Sequence, residues 1–398
     1  MRLEIILGGL VMNFNEKWEK ITLGEICNIT TGNTNSQDAV KDGDYPLFDR
    51  SKEIKRSNKY LFDNEAIIIP GEGKEFKPRY YSGKFDLHQR AYAIWSNSEL
   101  LLNRFLYYIM VLKNEILKKR AVGSTVKSLR KGLFEELIIP VPPFNEQKKI
   151  ANILSTFDKK IELNNQMNKT LEEIAQVIYK NWFIDFEPWQ NEGLVDSELG
   201  KIPKGWEIRT FGDIFKFVKG KVPDQKFKEK KKDAYKYLTI STLTGKKITY
   251  AKPDKNSIIT GKNDPIIVMD GSRSGKIFSG IKGILGSTLA KLKIKKDNLS
   301  KTLIYFLLKE HEEKFMKNTT GSAVPHADKK YILNQKVVLP KKKSILNKFN
   351  KVSESTILKI NENKKENRVL ETLRDNLIPK LMSGEIRVEP DDKEKVGG

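Results

Sequence analysis

Two stretches of the chain place a mostly apolar side chain at every seventh position, and this spacing is typical of a helix in a coiled coil. The first stretch carries Ile150, Phe157, Asn164, Leu171 and Ile178, with Ile153, Leu154, Ile161, Met167 and Ile174 along the adjacent seam. The second carries Phe349, Thr356, Asn363, Leu370 and Leu377, joined by Val352, Ile360, Leu373 and Leu381. We therefore predict two long helices, at residues 146–187 and 346–384, each with a heptad region roughly 50 Å long at about 1.5 Å per residue.

Each predicted helix has an asparagine near its midpoint, Asn164 in the first and Asn363 in the second. A buried asparagine in a heptad seam costs stability but fixes register and orientation. The midpoints of two antiparallel helices lie close together, so the matched asparagines favour an intramolecular antiparallel coiled coil. The alternative is a pair of ordinary amphipathic helices, each packed on its own globular domain.

The chain also repeats itself with a period near 198 residues. Residues 18–26 (WEKITLGEI) recur as residues 206–214 (WEIRTFGDI), and residues 123–126 (GSTV) recur as residues 321–324 (GSAV). Two copies are too few for a solenoid, whose repeats share a continuous core only when three or more are stacked. The pattern therefore indicates a duplicated unit.

Each copy begins with a globular segment of mixed pattern, with β-rich runs at residues 66–69 and 265–269 and a helical pattern at residues 100–120. These patterns predict a mixed α/β (α+β) fold, with two pseudo-twofold-related globular domains separated by the antiparallel two-helix coiled coil. We assign residues 1–145 to the first domain, 146–187 to the first helix, 188–345 to a linker and the second domain, 346–384 to the second helix, and 385–398 to an acidic tail. Residues 1–12 are expected to be a poorly ordered extension ahead of a second possible start at Met12.

Basic residues are concentrated in one part of the chain. The formal net charge is +22, and residues 200–345 alone contain 34 basic side chains against 13 acidic ones. Such a segment attracts polyanions, and nucleic acid is favoured over an anionic membrane because the segment has no basic amphipathic helix. No stretch approaches the ~20 apolar residues of a membrane span. The single cysteine, Cys27, excludes a disulfide framework and fits a reducing compartment, which we expect to be the cytoplasm.

Four segments resemble the specificity (S) subunit of type I restriction–modification systems. They are residues 141–150 (VPPFNEQKKI), 181–188 (NWFIDFEP), 197–206 (SELGKIPKGW) and 370–386 (LETLRDNLIPKLMSGEI), and the likeness spans about residues 16–388. The chain departs from the pattern in its acidic tail and at the start of the second helix, where Lys341, Lys342 and Lys343 replace the Pro-Pro-Phe-Asn-Glu-Gln run. We therefore expect the two helices to begin differently.

The resemblance implies a non-catalytic DNA-recognition subunit. Each globular segment would be a target-recognition domain that reads half of an asymmetric, bipartite site in double-stranded DNA. The two helices would set the distance between the halves and bind two methyltransferase (M) subunits, and restriction (R) subunits would complete the complex. That complex would be an adenine-N6 DNA methyltransferase and an ATP-dependent endonuclease, whose S-adenosylmethionine, ATP and Mg²⁺ are used by the partner subunits, with no cofactor in this chain.

Catalytic motifs in the sequence are incomplete. The nearest match to the Asn/Asp-Pro-Pro-Tyr/Phe motif of adenine methyltransferases begins with Val141, which cannot hydrogen-bond a flipped base. Residues 271–277 (GSRSGKI) are one residue too short for a phosphate-binding P-loop and end in isoleucine. Asp63, Glu72 and Lys74 have the order of a nuclease triad, but a chain this charged produces that order by chance. The three histidines have no metal-binding spacing, and we predict no catalytic and no metal-binding residue.

Two sets of side chains are candidates for binding. Base edges in the major groove favour Arg, Asn and Gln, while phosphates favour Lys, Arg and loop N–H groups. The DNA-binding candidates lie near Gly turns at matching places in the two copies: Lys74, Lys77, Arg79, Gln89, Arg90, Lys127, Arg130, Lys131, Ser272, Arg273, Lys276, His326, Lys329 and Lys330. The candidates for the coiled coil or the M-subunit interface are Ile150, Phe157, Ile161, Asn164, Leu171, Ile178, Trp182, Phe183, Phe349, Ile360, Asn363, Leu370 and Leu377.

For any one of the charged candidates, a solvated surface position is the competing interpretation. Trp18 and Trp206, at matched starts of the two copies, are expected in the core rather than stacked on bases. Two other functions stay open at this point. One is a self-contained DNA methyltransferase or nuclease, and the other is a coiled-coil protein that binds nucleic acid or membranes without sequence preference.

Overall fold

The structure, a computed structural model, describes residues 5–7, 10–12, 18–51, 53–245, 247–295 and 299–388. The chain divides into two compact units: unit 1 comprises residues 1–164 and 365–398, and unit 2 comprises residues 165–364. Residues 389–398 of the predicted acidic tail lie outside the described residues, as do parts of the predicted extension at residues 1–12. Within the described ranges, no helix combines the length and the apolar character needed to cross a membrane.

Unit 1 contains ten described strands and three described helices besides the long pair. The strands are β1 (Ile5–Leu7), β2 (Leu10–Met12), β3 (Glu19–Thr22), β4 (Cys27–Thr31), β5 (Tyr45–Phe48), β6 (Lys55–Ser57), β7 (Phe62–Pro70), β8 (Arg79–Leu87), β9 (Ala91–Ser96) and β10 (Ile138–Val141). The helices are α1 (Leu23–Ile26), α2 (Asn103–Arg120) and α3 (Lys131–Glu135). Strands β1 and β2 pair as an antiparallel hairpin.

The main sheet of unit 1 has six strands in the order β4-β9-β7-β8-β5-β6. Strand β5 runs parallel to β8, and the other neighbours are antiparallel. The apolar run predicted at residues 66–69 is fully buried in β7, because both faces of this central strand are covered. Helix α2 packs its apolar side chains into the same core as Ile67 and Ile69. Strands β3 and β10 form a separate antiparallel pair.

Asp49 is a buried carboxylate beyond the end of β5. Burial alone would raise its pKa. Hydrogen bonds from Lys55, from the backbone and hydroxyl of Ser51 and from Ser36 outweigh that effect and lower the pKa of Asp49 to about 2. The ionised carboxylate therefore holds three segments of unit 1 together.

Unit 2 adds fifteen described strands and five described short helices. The strands are β11 (Leu194–Ser197), β12 (Gly200–Pro203), β13 (Trp206–Thr210), β14 (Phe215–Lys219), β15 (Lys226–Phe227), β16 (Tyr235–Leu238), β17 (Tyr250–Ala251), β18 (Ile259–Thr260), β19 (Pro265–Val268), β20 (Ile277–Ser279), β21 (Gly283–Leu285), β22 (Leu289–Ile294), β23 (Thr319–Thr320), β24 (His326–Ala327) and β25 (Lys336–Pro340). The helices are α5 (Phe211–Ile214), α6 (Ile240–Leu243), α7 (Lys301–Glu310), α8 (Glu312–Lys317) and α9 (Lys329–Asn334).

The two units repeat one plan. The pair β3–β10 of unit 1 corresponds to β13–β25 of unit 2, and the sheet order β4-β9-β7-β8 corresponds to β14-β22-β19-β20. The parallel contact between β5 and β8 recurs between β16 and β21, within a second sheet of order β15-β17-β16-β21-β18. The duplication and the mixed helix-and-sheet fold class predicted from the sequence are therefore confirmed.

The two long helices are α4 (Phe144–Phe183) and α10 (Lys343–Ser383), near the predicted ranges 146–187 and 346–384. Each helix contributes one half to each unit. In unit 1, Asn164 Nδ2 donates to Asn367 Oδ1 at 2.8 Å, and Arg374 Nη1 lies 2.6 Å from Asp158 Oδ1. From Asn164 to Asp158 the residue number falls along α4, whereas from Asn367 to Arg374 it rises along α10. The two helices are therefore antiparallel in this unit.

The helix halves in unit 2 are antiparallel as well. Asn363 Nδ2 donates to Asn168 Oδ1 at 3.0 Å, and the Phe183 and Phe349 ring centroids lie 4.9 Å apart. The residue number therefore rises along α4 while that of its partner falls along α10. We predicted one seam asparagine in each helix, but each helix has two, spaced four residues apart. Both members of each pair are buried, so every one of these four asparagines lies at a seam position.

Part of the predicted seam was wrong. Ile153, Met167 and Ile174 of α4 are exposed, as are Val352 and Leu373 of α10. The buried and half-buried positions of α4 alternate at spacings of four and three residues. One row of the seam is Ile150 and every seventh residue after it, and the second row is Leu154, Ile161, Asn168 and Ala175. Polar or small side chains occupy several of these positions, and the apolar residues one place earlier drew the prediction to the wrong face.

The start of α4 is held by two buried polar side chains. Glu146 Oε2 accepts hydrogen bonds from Trp18 Nε1 at 3.2 Å and from Arg387 Nη2 at 3.3 Å, and Arg387 Nε lies 2.9 Å from Glu146 Oε1 in the same ion pair. Gln147 accepts from the backbone N–H of Leu102 at 2.8 Å and donates to two backbone carbonyls. These contacts tie the helix to the globular part of unit 1 and to the end of the chain.

The start of α10 lacks this polar network, as the missing Pro-Pro-Phe-Asn-Glu-Gln run led us to expect. Ile345 and Leu346 are buried there instead. Trp206 is buried like Trp18, so both tryptophans lie in the core as predicted, but within the described residues Trp206 Nε1 has no hydrogen-bond partner. Aromatic contacts replace the network, since the Phe183 and Trp206 ring centroids lie 5.7 Å apart.

Candidate nucleic-acid interface

A groove opens in unit 1 where the central strand β7 ends. We call it groove 1, and it encloses about 690 Å³. Its walls come from the end of β4, the segment after β7, the turn between β8 and β9, and the loop between α2 and α3. The lining residues are Thr31, Gly71, Glu72, Gln89, Arg90, Tyr92, Val122, Gly123, Val126, Ser128, Leu129 and Arg130.

Unit 2 has a groove of about 500 Å³ at the corresponding place, after strand β19, and we call it groove 2. Its walls come from the end of β14, the segment after β19, and the region from β23 to the start of α9. The lining residues are Lys219, Met269, Asp270, Thr320, His326, Ala327, Asp328, Lys329 and Lys330.

The same backbone hydrogen bonds build both grooves. Gly73 N–H donates to the Lys127 carbonyl at 2.9 Å, and Gly271 N–H donates to the Pro325 carbonyl at 2.9 Å. A second bond of 2.8 Å joins Leu129 N–H to the Gly71 carbonyl, and its counterpart joins residues 327 and 269 at 2.8 Å. Each pair of bonds is separated by 198 residues in the sequence, so the two grooves are equivalent features of the duplicated fold.

Each groove has a carboxylate at the equivalent position, directly after the central strand region, and groove 2 is also lined by Asp328. In groove 1, Glu72 Oε1 lies 2.7 Å from Arg90 Nη1, and Glu72 Oε2 lies 3.9 Å from Arg50 Nη1. In groove 2, Asp270 lies 2.8 Å from both Lys219 Nζ and His326 Nδ1. Both carboxylates are therefore paired with cationic or potentially cationic groups.

The surroundings of Asp270 act on its ionisation in opposite directions. Partial burial favours the neutral acid, but hydrogen bonds from Lys219 and His326 favour the ionised form and leave the pKa of Asp270 below its ordinary value. The carboxylate is thus a fixed negative charge in groove 2 at neutral pH, surrounded by basic side chains.

The structure brings six of the predicted DNA-binding residues to the groove walls. They are Gln89, Arg90 and Arg130 in groove 1 and His326, Lys329 and Lys330 in groove 2. All six are exposed. Gln89 Nε2 donates to Asn35 Oδ1 at 2.6 Å, which orients its amide beside the groove.

The other predicted DNA-binding residues are not among the described residues that line the grooves. Lys74 and Lys77 are exposed in the loop between β7 and β8, and Ser272, Arg273 and Lys276 lie in the turn before β20. Several are engaged elsewhere: Arg79 donates to the Ser51 carbonyl at 2.5 Å, Lys127 donates to the Ala121 carbonyl at 3.3 Å, and Lys131 pairs with Glu135 at 3.2 Å.

Sequence reasoning missed the two carboxylates and Lys219. Glu72 entered only as part of a nuclease triad, and Asp270 was not considered. A usable signal exists, because an acidic residue follows the buried strand at the same offset of 198 in both copies. Among the described residues, no group of three or more His, Cys, Asp or Glu side chains could hold a metal ion.

The predicted coiled-coil residues lie on the seam or in the domain cores. Ile150, Asn164, Phe183, Phe349, Ile360 and Asn363 are buried, and Phe157, Ile161, Leu171, Ile178, Trp182, Leu370 and Leu377 are half-buried. Phe183 packs in the core of unit 2, stacked 5.6 Å from Tyr179. Other apolar side chains of α4 are exposed, including Ile153, Leu163, Met167, Ile174 and Val177.

Comparison with known proteins identifies the family. The sequence profile described as "Type I restriction modification DNA specificity domain" matches residues 15–173 and 203–370, so one match covers each copy of the repeat. The chain belongs to this family. The suspected resemblance to type I specificity subunits is thereby confirmed.

Individual relatives support the same family assignment. The chain is 33% identical over 309 residues to the type I restriction enzyme MjaIX specificity subunit of Methanocaldococcus jannaschii, covering 73% of this chain and 70% of that protein. It is 24% identical over 412 residues to the MjaVIII specificity subunit of the same organism, covering 94% of both. The crystal structure of the type I restriction–modification S subunit from M. genitalium shares the fold, with a TM-score of 0.63 at 23% identity over 93% of this chain and 96% of that one.

Proposed function

We propose that this chain reads an asymmetric, bipartite DNA site, with unit 1 reading one half and unit 2 reading the other. The observation that carries the proposal is that one groove is built twice from the same backbone hydrogen bonds. Membership of the specificity family makes the chain a DNA sequence-recognition subunit and not a catalytic one. Two equivalent readers on one chain are what a site with two separated halves requires.

The side chains around the two grooves support an asymmetric site. Groove 1 offers Gln89, Arg90 and Arg130, and groove 2 offers His326 and three lysines. Arginine and glutamine can match base edges with two hydrogen bonds, whereas lysine acts as a point charge. Equivalent grooves lined with different donors are expected to read different bases.

The unequal charge of the two halves supports a difference in how they bind the backbone. Residues 200–345 contain 34 basic and 13 acidic side chains, and the whole of that segment belongs to unit 2. Phosphate contacts supply affinity and set the register of a protein on the duplex without reading sequence. We therefore assign most of the backbone affinity to unit 2.

The exposed face of the long helices is our candidate for the partner subunits. Ile153, Met167 and Ile174 of α4 are apolar and exposed, although the seam itself is filled by other residues. Apolar side chains grouped on an exposed face mark interaction sites. We propose that two methyltransferase subunits bind the helices and that restriction subunits join them, with S-adenosylmethionine, ATP and Mg²⁺ used by those partners in the cytoplasm.

The test is reconstitution of methylation from purified parts. The chain alone, the M subunits alone and their mixture are each incubated with S-adenosylmethionine and genomic DNA, and methylated adenines are mapped by sequencing. We expect adenine methylation at one bipartite motif in the mixture alone. Methylation or cleavage by the isolated chain, or a mixture that methylates adenines without any motif, would contradict the proposal.

A further inference from the structure

Arg90 and Glu72 form an ion pair in groove 1, and the two side chains differ in their exposure to solvent. Arg90 Nη1 lies 2.7 Å from Glu72 Oε1, with the Arg90 side chain 60% exposed and the Glu72 side chain 16% exposed. The backbone of Arg90 is fixed too, because its carbonyl accepts from Gly71 N–H at 2.8 Å and its N–H donates to His88 Nδ1 at 3.0 Å. Arg90 is therefore an exposed cation presented from a pinned turn.

A carboxylate in a groove that receives DNA repels the phosphates unless it is paired. Glu72 is paired with Arg90 and has Arg50 at 3.9 Å. A hydrogen bond between two ionised groups is short and strong, so it restricts the orientation of the guanidinium. This gives Glu72 the role of a positioning residue that acts through Arg90.

The contact with Glu72 leaves donors on Arg90 for another partner. A guanidinium has five N–H donors in a planar fork, and the hydrogen bond to Glu72 uses Nη1. The edge formed by Nε and Nη2 can donate to two acceptors side by side. Guanine presents O6 and N7 in that arrangement in the major groove, whereas adenine presents one acceptor with one donor and cytosine presents a donor.

We propose that Arg90, oriented by Glu72, reads a guanine in the half-site bound by unit 1. The inference rests on the proposed function, because it requires groove 1 to receive DNA. A direct contact from Glu72 to a cytosine amino group is the competing chemistry. The low exposure of Glu72 and its engagement by arginine disfavour it.

Groove 2 retains the carboxylate but not this reader. Asp270 is equivalent to Glu72, yet Thr288 stands where unit 1 has Arg90, with its carbonyl in the same backbone hydrogen bond. The cations beside Asp270 come from other positions in the fold. The guanine contact therefore belongs to one half of the site, and Asp270→Asn serves as a matched control in the other half.

The experiment maps methylated adenines made by complexes of the full chain with M subunits and S-adenosylmethionine. The chain is the parent, Arg90→Lys, Arg90→Ala, Glu72→Gln or Asp270→Asn. We expect an invariant guanine in one half of the parent motif. Both Arg90 variants should reduce the preference at that position by roughly 5- to 150-fold while the other half stays unchanged. Arg90→Lys keeps the charge, so its effect isolates the loss of the two-donor edge.

The remaining variants separate positioning from direct reading. Glu72→Gln should weaken the preference for the same guanine without introducing another base, and Asp270→Asn should leave that position intact. If the Arg90 variants lower methylation at all sequences equally and keep the motif, Arg90 contacts a phosphate and the inference is overturned. The inference would also be overturned if Glu72→Gln altered the preference at a cytosine position and left the preference for guanine as in the parent. A parent complex without any motif would overturn the proposed function, and this inference with it.

Discussion

The hydrogen bond between Asn168 and Asn363 should couple the contributions of the two side chains to the stability of unit 2. Asn363 Nδ2 donates to Asn168 Oδ1 at 3.0 Å inside unit 2, where Asn363 is 2% exposed and Asn168 is 6% exposed. Replacing Asn168 by Leu leaves the buried amide of Asn363 without this partner. An unsatisfied buried polar group costs about 1–3 kcal/mol, whereas replacing both partners by apolar groups is close to neutral or stabilising.

The four chains of this double-mutant cycle are the parent, Asn168→Leu, Asn363→Leu and the double variant. Thermal unfolding followed by calorimetry reports the midpoint, which moves by about 2–4 °C per kcal/mol for a unit of 150–250 residues. We expect each single variant to unfold roughly 2–12 °C lower in the unit 2 transition and the double variant to recover most of that loss. Gln176→Leu, on an exposed position of the same helix half, should shift the midpoint little.

Two single variants as stable as the parent would contradict this prediction, and so would a loss in the double variant equal to the sum of the single losses. Additive losses would mean that the two side chains do not interact. A double variant more stable than the parent would agree with the expected trade of stability for register in a heptad seam.

Three further predictions concern separate parts of the chain. Lys330→Gln, measured in the full complex, should reduce the slope of log K against log salt by about 0.9 if Lys330 contacts a phosphate, while Lys351→Gln on the exposed face of α10 should leave it unchanged. The pKa of Asp49 is lowered to about 2, so the stability that its ionised carboxylate contributes is complete above its unfolded pKa near 4 and is lost between about pH 4 and pH 2. The free energy of unfolding measured against pH should fall in this window, and the Asp49→Asn variant should lack that fall. Glu146→Ala leaves Trp18 Nε1 without its partner and should cost about 1–3 kcal/mol in chemical denaturation, and a chain as stable as the parent would contradict that.

Local sequence patterns were sufficient for the helices and the duplicated fold. Heptad spacing located α4 and α10 because a helix shows its buried face at regular intervals, and the matched segments at residues 18–26 and 206–214 revealed the duplication. The same spacing misled where the seam is polar. Asn168 and Asn367 are buried through hydrogen bonds to partners about 200 residues away, which a local pattern does not contain.

The division of the chain into units was also beyond local patterns. Leu381 and Met382, at the end of α10, pack in the same core as Trp18, and Tyr179 near the end of α4 packs in the core of unit 2. These contacts join residues that are far apart in the sequence, so a local pattern does not contain them. The groove residues were predicted in part. Arg90 and His326 were among the candidates because their side chains can donate to bases or phosphates, whereas Glu72 and Asp270 carry no such donor and were not among them.

The proposed function is that unit 1 and unit 2 read the two halves of one site, and the sequence predicts that the paired helices set the distance between those halves. It is tested most directly by inserting one heptad into both helices, after Asn164 and after Lys364, where the division between the units falls. Seven residues lengthen each helix by about 10 Å and keep the seam in phase. The hydrogen bonds within each unit are untouched by insertions at these points. About 10 Å corresponds to roughly three base pairs at 3.4 Å each.

A companion chain with three heptads in both helices adds about 31 Å, or roughly nine base pairs, which is close to one turn of 10–10.5 base pairs and so returns the second half-site to nearly the same face of the duplex. The measurement is the map of methylated adenines made by each complex with M subunits. We predict unchanged half-sites with a spacer longer by about three base pairs in the first case and about nine in the second. An active complex that keeps the parent spacer would contradict the account.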